Sequence, residues 1–79
     1  MDTRAITVDP EIQFGIPVFR GTRVPVESLF WHLERGISLD EFLDDFPSVT
    51  KEQAVEVLAL AGRVLSSQQL LHLIDETAA

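Results

Sequence analysis

Three consecutive segments with helical apolar spacing constrain the fold of this chain most strongly. Residues on one helical face recur every three or four positions, and in the first segment they are Val26, Leu29, Phe30, Leu33 and Ile37. Pro25 suits the first turn of such a helix, and Gly36 suits the position just past its end. The pattern predicts a first helix that begins at Pro25 and stops at Gly36.

The second and third segments open with a capping box, in which Ser or Thr is followed three residues later by Glu or Gln. Ser38 with Glu41 opens the second helix, which Pro47 closes, and Thr50 with Gln53 opens the third. The apolar positions of the second helix are Leu39, Phe42, Leu43 and Phe46. Two short helices with a short connection are typical of a helix-turn-helix. A plain three-helix bundle has the same spacing, so the pattern alone leaves both open.

The first 24 residues are rich in β-branched residues and turn formers. They predict two or three strands of about three residues each. An isolated pair of such strands is marginally stable in water. We therefore expect the strands to pair across a dimer or to pack on the helices.

The third helix is apolar on every side over residues 57–61. A helix of that kind is usually buried all round, so only its first turn is expected to reach a DNA groove. After Gly62, Ser66 and Gln69 form a third possible capping box. Four aliphatics follow it: Leu70, Leu71, Leu73 and Ile74. We expect a separate C-terminal helix, or a continuation of the third one, which either completes the core or presents an apolar stripe to a partner.

Composition limits the class of protein. The chain has 79 residues, no cysteine and a net charge of −7. This length fits one domain, expected as residues 1–65 with an extension over residues 66–79, and a core this small favours oligomerisation. The absence of cysteine fits a reducing cytoplasm, and no apolar run is long enough for a membrane span or a signal peptide.

The acidic charge is distributed unevenly along the chain. Residues 1–36 hold four arginines against five acids, whereas residues 37–79 hold two basic residues against eight acids. Phosphate contacts are therefore expected in the N-terminal half. In the Arg20-Gly21-Thr22-Arg23 segment, Gly21 permits a tight turn flanked by two guanidinium groups that can clamp phosphates. The same arginines can instead pair with acids of the domain and hold the β segment on the helices.

Catalysis has little support in the sequence. Glu41, Asp44 and Asp45 share a helical face, but such a run is typical of a solvated acidic surface. His32 and His72 lie far from these acids in sequence, so neither an enzyme nor a metal site is expected, and no cofactor is implied. Trp31 and His32 both fall off the apolar face of their helix. This position favours an interface for Trp31 and a surface or interface position for His32.

Motifs along residues 4–62 carry a specific resemblance. The run Gly15-Ile16-Pro17-Val18-Phe19-Arg20-Gly21-Thr22-Arg23-Val24-Pro25-Val26, preceded by Ile6-Thr7-Val8-Asp9-Pro10 and followed by residues 36–41 and 46–50, resembles the "domain of unknown function 433" family. The resemblance implies a homeodomain-like helical fold behind a short β segment. Many members resemble VapB-type antitoxins, which are commonly paired with a PIN-like ribonuclease toxin.

Three functions follow as hypotheses. The first is a dimeric antitoxin that neutralises a PIN-like ribonuclease and represses its own operon; the others are a stand-alone DNA-binding regulator and a protein-binding adaptor. The residues expected to contact operator DNA are Arg20, Thr22, Arg23, Thr50, Lys51 and Gln53. Those expected to contact the toxin are Arg63, Leu70, Leu71, Leu73 and Ile74, and those of the homodimer interface are Trp31, Val57 and Leu60.

Overall fold

The fold is a short antiparallel hairpin followed by three helices. The structure, a computed structural model, describes residues 3–67. Its elements are β1 (Ile6–Thr7), a 3₁₀ turn (Gln13–Gly15), β2 (Val18–Phe19), α1 (Val26–Glu34), α2 (Leu39–Asp45) and α3 (Lys51–Leu65). The predicted class, mostly α with a helix-turn-helix and a short N-terminal β segment, is confirmed for these residues.

The hairpin packs on the helices of its own chain. Ile6 pairs with Phe19 and Thr7 with Val18, and each strand is two residues long, slightly shorter than predicted. Val18 and Phe19 are both completely buried, because β2 lies against α1. Of the two expected ways to stabilise these strands, packing on the helices is therefore present within a single chain.

Helix α1 begins and ends beside the residues that the sequence predicts for its two ends. Pro25, in extended conformation, is the N-cap residue. At the other end, Gly36 adopts φ +78° and donates its N–H to the carbonyl oxygen of Leu33 at 3.0 Å. A left-handed residue at this position satisfies carbonyl groups of the last turn that have no partner within the helix. Gly36 therefore ends α1 as expected.

The capping boxes differ in completeness. At α3, Thr50 Oγ1 accepts from the N–H of Gln53 at 3.1 Å, and Gln53 Oε1 accepts from the N–H of Thr50 at 3.0 Å. At α2, Ser38 Oγ accepts from the N–H of Glu41 at 3.1 Å, and the side chain of Glu41 remains exposed without the reciprocal bond among the described residues. The start of α3 is thus fixed more firmly than the start of α2.

Helix α3 continues through Gly62 to Leu65, with Ser66 as its C-cap. A break at Gly62 is therefore not observed, because one glycine inside a helix costs only about 1 kcal/mol. The predicted C-terminal helix falls mostly on residues 68–79, which lie outside the described residues.

Strand β2, the three helices and the segments just before β1 and α3 contribute buried side chains to the core. Its buried members are Ala5, Phe19, Leu29, Phe42, Val49, Ala54 and Val57. Phe19 and Phe42 meet at its centre, with ring centroids 6.0 Å apart. Within residues 3–67, no helix is long and apolar enough to cross a membrane.

Candidate functional site

The predicted arginine segment forms a tight turn that directly follows β2. The N–H of Thr22 donates to the carbonyl oxygen of Phe19 at 3.0 Å, and Gly21 at the third position has φ +79°. A type II turn requires positive φ at this position, which glycine adopts without strain. Residues 19–22 therefore form a turn that places Arg20 at its exposed second position.

Thr22 has an internal role in this turn. Its hydroxyl donates to the carbonyl oxygen of Phe19 at 2.8 Å and accepts from the N–H of Val24 at 3.0 Å. A hydroxyl has one proton to donate, and that proton is already used. Thr22, which the sequence placed among the DNA contacts, stabilises the turn in the free chain.

Gln53 joins this turn to the start of α3. Its Nε2 donates to the carbonyl oxygen of Arg20 at 2.8 Å, while its Oε1 caps the helix at Thr50. The structure thus brings together two predicted groups of DNA-binding residues that lie 33 positions apart at this link. Because the amide of Gln53 bonds at both ends and the hydroxyl of Thr50 accepts the N–H of Gln53, both side chains hold neighbouring groups in place in this structure.

Cationic side chains lie around this junction. Arg20 is exposed and donates from Nη1 to the carbonyl oxygen of Thr3 at 3.1 Å. Within residues 3–67, the exposed side chains of Arg23 and Lys51 have no hydrogen-bonding or ion-pair partner. Arg4 lies 3.3 Å from Glu56 of α3. Of the predicted DNA contacts, Arg20, Arg23 and Lys51 therefore retain groups available to a phosphate.

Acidic groups limit the electrostatic attraction of this surface. Glu52 stands in the first turn of α3, and Glu56 and Glu52 line the same shallow depression as Arg4 and Lys51. The exposed face of α2 is also acidic. Because nucleic-acid affinity grows with the number of phosphates that are neutralised, this distribution supports only a small contact.

A continuous apolar groove lies on the opposite side of α3. It has a volume of about 400 Å³, and among the described residues all of its lining is aliphatic or aromatic: Ile6, Val26, Phe30, Val57, Leu60, Ala61, Val64 and Leu65. We call it the apolar groove. Val64 and Leu65 at its end are 57% and 64% exposed. Large exposed apolar patches on a small domain mark interaction surfaces.

A second depression continues this surface along α1. It has a volume of about 340 Å³ and is lined by Ile16, Pro17, Val26, Glu27 and Phe30. Val26 and Phe30 therefore form a ridge shared by both depressions. Apolar surface extends from the loop before β2 to the end of α3.

Phe14, which sequence reasoning missed, projects from the loop before β2. Its side chain is 97% exposed, and its backbone adopts φ +59°, between Gln13 at +50° and Gly15 at +86°. Left-handed conformation is strained for a large side chain. The turn is nevertheless held, because Gln13 Nε2 donates to the carbonyl oxygen of Arg23 at 3.0 Å. Phe14 is thus presented to solvent on a fixed backbone.

The residues predicted for the dimer interface lie in different environments. Trp31 is 49% exposed, Leu60 lines the apolar groove, and Val57 is only 3% exposed. Val57 belongs to the core of its own chain and forms the floor of the groove, because the apolar stretch of α3 faces β1 and α1. Arg63, predicted to bind the toxin, is exposed in the last turn of α3, whereas Leu70, Leu71, Leu73 and Ile74 lie outside the described residues.

His32 joins α1 to α2. Its Nδ1 lies 2.7 Å from the carbonyl oxygen of Ser28, which can only accept, so Nδ1 carries the proton. The ring packs edge-on against Phe42 and Phe46, with centroids 5.2 Å and 5.6 Å away, and Nε2 lies 3.7 Å from Asp45 Oδ2. The sequence favoured a surface or interface position; the ring lies instead largely inside the domain, since its side chain is only 19% exposed.

Within residues 3–67, no three His, Asp or Glu side chains converge closely enough to hold a metal ion. The acids that share a face of α2 remain exposed.

Comparison with known proteins places the chain in a family. The uncharacterized protein y4eO of Sinorhizobium fredii (strain NBRC 101917 / NGR234) is 40% identical over 48 residues, which are 61% of this chain and 22% of that relative. The chain thus spans less than a quarter of the length of this relative. No solved structure matches the chain. A family model described as "Protein of unknown function (DUF433)" matches residues 6–61, and the chain therefore belongs to the DUF433 family.

Proposed function

We propose that this chain is the antitoxin of a type II toxin-antitoxin pair, which neutralises a PIN-like ribonuclease and represses its own operon. In this proposal the chain acts in the cytoplasm by binding and not as an enzyme. The observation that carries it is the apolar surface left open on a very small domain. Phe14, Ile16, Trp31, Val64 and Leu65 are all at least 41% exposed.

Exposed apolar surface supports a protein partner over a small ligand. The two depressions are shallow and share Val26 and Phe30, and the aromatic side chains of Phe14 and Trp31 are exposed elsewhere on the domain. Aromatic residues are enriched at the centres of protein interfaces, where their burial contributes most of the binding energy. A strained, fully exposed Phe14 is expensive for a free chain, and a partner that buries it offsets this cost.

The charge of the chain supports a basic partner. A net charge of −7 on 79 residues makes the chain negative overall. A ribonuclease that holds RNA needs a positive surface, and complementary charges steer such partners together. The resemblance to VapB-type antitoxins supports the more specific identification of that ribonuclease as PIN-like.

The end of α3 and the residues after it are the proposed toxin contacts. Arg63 is exposed there, and four aliphatics follow at positions 70, 71, 73 and 74. This arrangement supports recognition of an amphipathic helix by a groove on the toxin. The helix-turn-helix then remains free for DNA.

Coexpression with the product of the adjacent gene tests the proposal. We expect the two proteins to copurify and the ribonuclease to be inhibited, and we expect deletion of residues 66–79 to abolish neutralisation. Val55→Asp, on the opposite side of α3 from the apolar groove, is the matched control and should copurify normally. Full neutralisation by the shortened chain would refute the assigned contact.

A stand-alone DNA-binding regulator is the second candidate. The bond between Gln53 and Arg20 favours it, because it fixes the arginine turn beside the first turn of α3. Gel shift with the upstream DNA, at two salt concentrations, tests DNA binding. Arg20→Glu with Arg23→Glu should abolish the shift, whereas Arg35→Glu, an exposed arginine at the end of α1, should leave it unchanged.

Outcomes of these two experiments separate the candidate functions. DNA binding without a neighbouring gene for a PIN-like nuclease would indicate the stand-alone regulator. Copurification with a partner and no gel shift at either salt concentration would indicate a protein-binding adaptor.

A further inference from the structure

The apolar groove is open along the second half of α3. Its walls are Ile6 of β1, Val26 and Phe30 of α1, and a strip of α3 from Val57 to Leu65. Its described lining contains no charged group, so removal of this apolar surface from water lowers the free energy. Its geometry suits one amphipathic helix laid beside α3.

The residues that follow the groove have the required pattern. Leu70, Leu71, Leu73 and Ile74 have the spacing i, i+1, i+3 and i+4, which places them on one helical face. A helix over residues 68–79 extends about 18 Å, and the α3 strip from Val57 to Leu65 extends about 12 Å. The segment is therefore long enough to cover the groove.

The short covalent link between α3 and residues 68–79 favours this segment over other occupants of the apolar groove. Leu65 lines the groove, and the backbone N–H groups of Ser66 and Ser67 donate to the carbonyl oxygens of Gly62 and Val64, so the described chain ends at the edge of the groove. A segment tethered this closely has an effective concentration in the millimolar range. A second copy or a separate partner at micromolar concentration competes at a disadvantage of roughly a thousandfold.

We propose that in the free chain residues 68–79 fold back as a helix and place their aliphatic face in the apolar groove. This docking belongs to the chain alone and does not depend on a toxin. Where the chain acts as the proposed antitoxin, the groove and the toxin compete for the same four side chains, and this consequence alone rests on the proposed function.

Cysteine crosslinking tests the docking, since the natural chain has no cysteine. Leu60→Cys on the groove wall is combined with Leu73→Cys, and the control combines Ala59→Cys with Leu73→Cys. Ala59 precedes Leu60 directly but lines the opposite surface of α3, beside Val55 and Glu56. The two pairs thus enclose loops of almost equal length on different faces.

Mild oxidation of the dilute, purified full-length chain should form the intramolecular disulfide at least tenfold faster in the groove pair than in the control pair. Val64→Asp, a change at an exposed groove position, should reduce that rate toward the control. Equal rates in the two pairs, disulfide formation in neither, or predominantly intermolecular disulfides would each overturn the proposal. The last outcome would identify a second copy as the occupant. The crosslinking experiment contains no toxin. A negative result would therefore overturn the docking proposal without affecting the coexpression test of the proposed function.

Discussion

Gln53 on α3 donates a hydrogen bond from Nε2 to the carbonyl oxygen of Arg20, 2.8 Å away and 33 positions earlier in the chain. The same amide accepts the N–H of Thr50 through Oε1. One side chain therefore caps α3 and attaches the arginine turn to it. The helix-turn-helix and the β segment are therefore connected by the hydrogen bond between Gln53 and Arg20 as well as by the hydrophobic core.

Replacement of Gln53 separates these two roles. Gln53→Ala removes both bonds and should lower the free energy of unfolding by about 1–2 kcal/mol, the usual loss for a helix cap and one further hydrogen bond. Gln53→Glu keeps an acceptor for Thr50 but places a carboxylate against the carbonyl oxygen of Arg20. We expect an intermediate loss, measured by urea denaturation.

Lys51→Ala is the matched control for Gln53, because Lys51 occupies the same turn and has no partner among residues 3–67. Its unfolding midpoint should change little. If Gln53→Ala were as stable as Lys51→Ala, the bond to Arg20 would have no energetic role in solution.

Gly21→Ala should destabilise the arginine turn through the backbone alone. A Cβ at this position meets no atom within 4 Å, but φ is +79°. Left-handed conformation costs an L-residue about 1–2 kcal/mol, and thermal unfolding should show a loss of that size. Gly21→Asn, which tolerates this conformation better, should lose less; an equal loss would point to a cause other than φ.

Gly62→Ala should have the opposite effect. Gly62 lies inside α3 with helical neighbours on both sides, and an added Cβ meets nothing within 4 Å. Alanine in a helix interior is favoured over glycine by about 1 kcal/mol. Thermal unfolding should therefore show a higher midpoint, and a lower one would indicate that α3 bends or opens at Gly62 in solution.

The helices could be predicted from the sequence because their signals are local. Gly36, Ser38 and Thr50 act on backbone groups three or four residues away, so spacing along the chain is sufficient to place them. The second bond of Gln53 could not be predicted, because its acceptor at Arg20 depends on how the β segment packs. Local sequence patterns thus predict the bond between Gln53 and Thr50, whereas the bond between Gln53 and Arg20 depends on tertiary packing.

Individual side chains were harder to place. Val57 was expected in a dimer interface, but the helical face of β-branched and small residues around it turns toward β1 and α1. The position of His32 off the apolar stripe favours the surface, but α2 packs on α1 from that side and covers the ring. The adjacent Gly15 was a weak signal for Phe14, because the exposure of Phe14 results from a left-handed backbone that extends over residues 13–15.

His32→Ala should destabilise the packing of α1 on α2. The change removes two edge-on aromatic contacts and the bond to Ser28, for an expected loss of about 2 kcal/mol in urea denaturation. Trp31→Ala, next in sequence and 49% exposed, should lose less than about 1 kcal/mol. Equal losses would mean that His32 does not join the two helices in solution.

Phe14→Gly should separate stability from binding. Glycine relieves the left-handed strain, worth about 1–2 kcal/mol, but loses about 0.5–1 kcal/mol through the flexibility of the unfolded chain. Because the phenyl ring is 97% exposed, it contributes little to the free fold. The free energy of unfolding should therefore stay unchanged or rise by up to about 1.5 kcal/mol, while copurification with the protein partner decreases. Phe14→Ala retains the strain and should lose binding without the gain in stability. A Phe14→Gly chain that unfolds more easily would mean that the ring packs against its own domain, and the reason for proposing Phe14 as a partner contact would be lost.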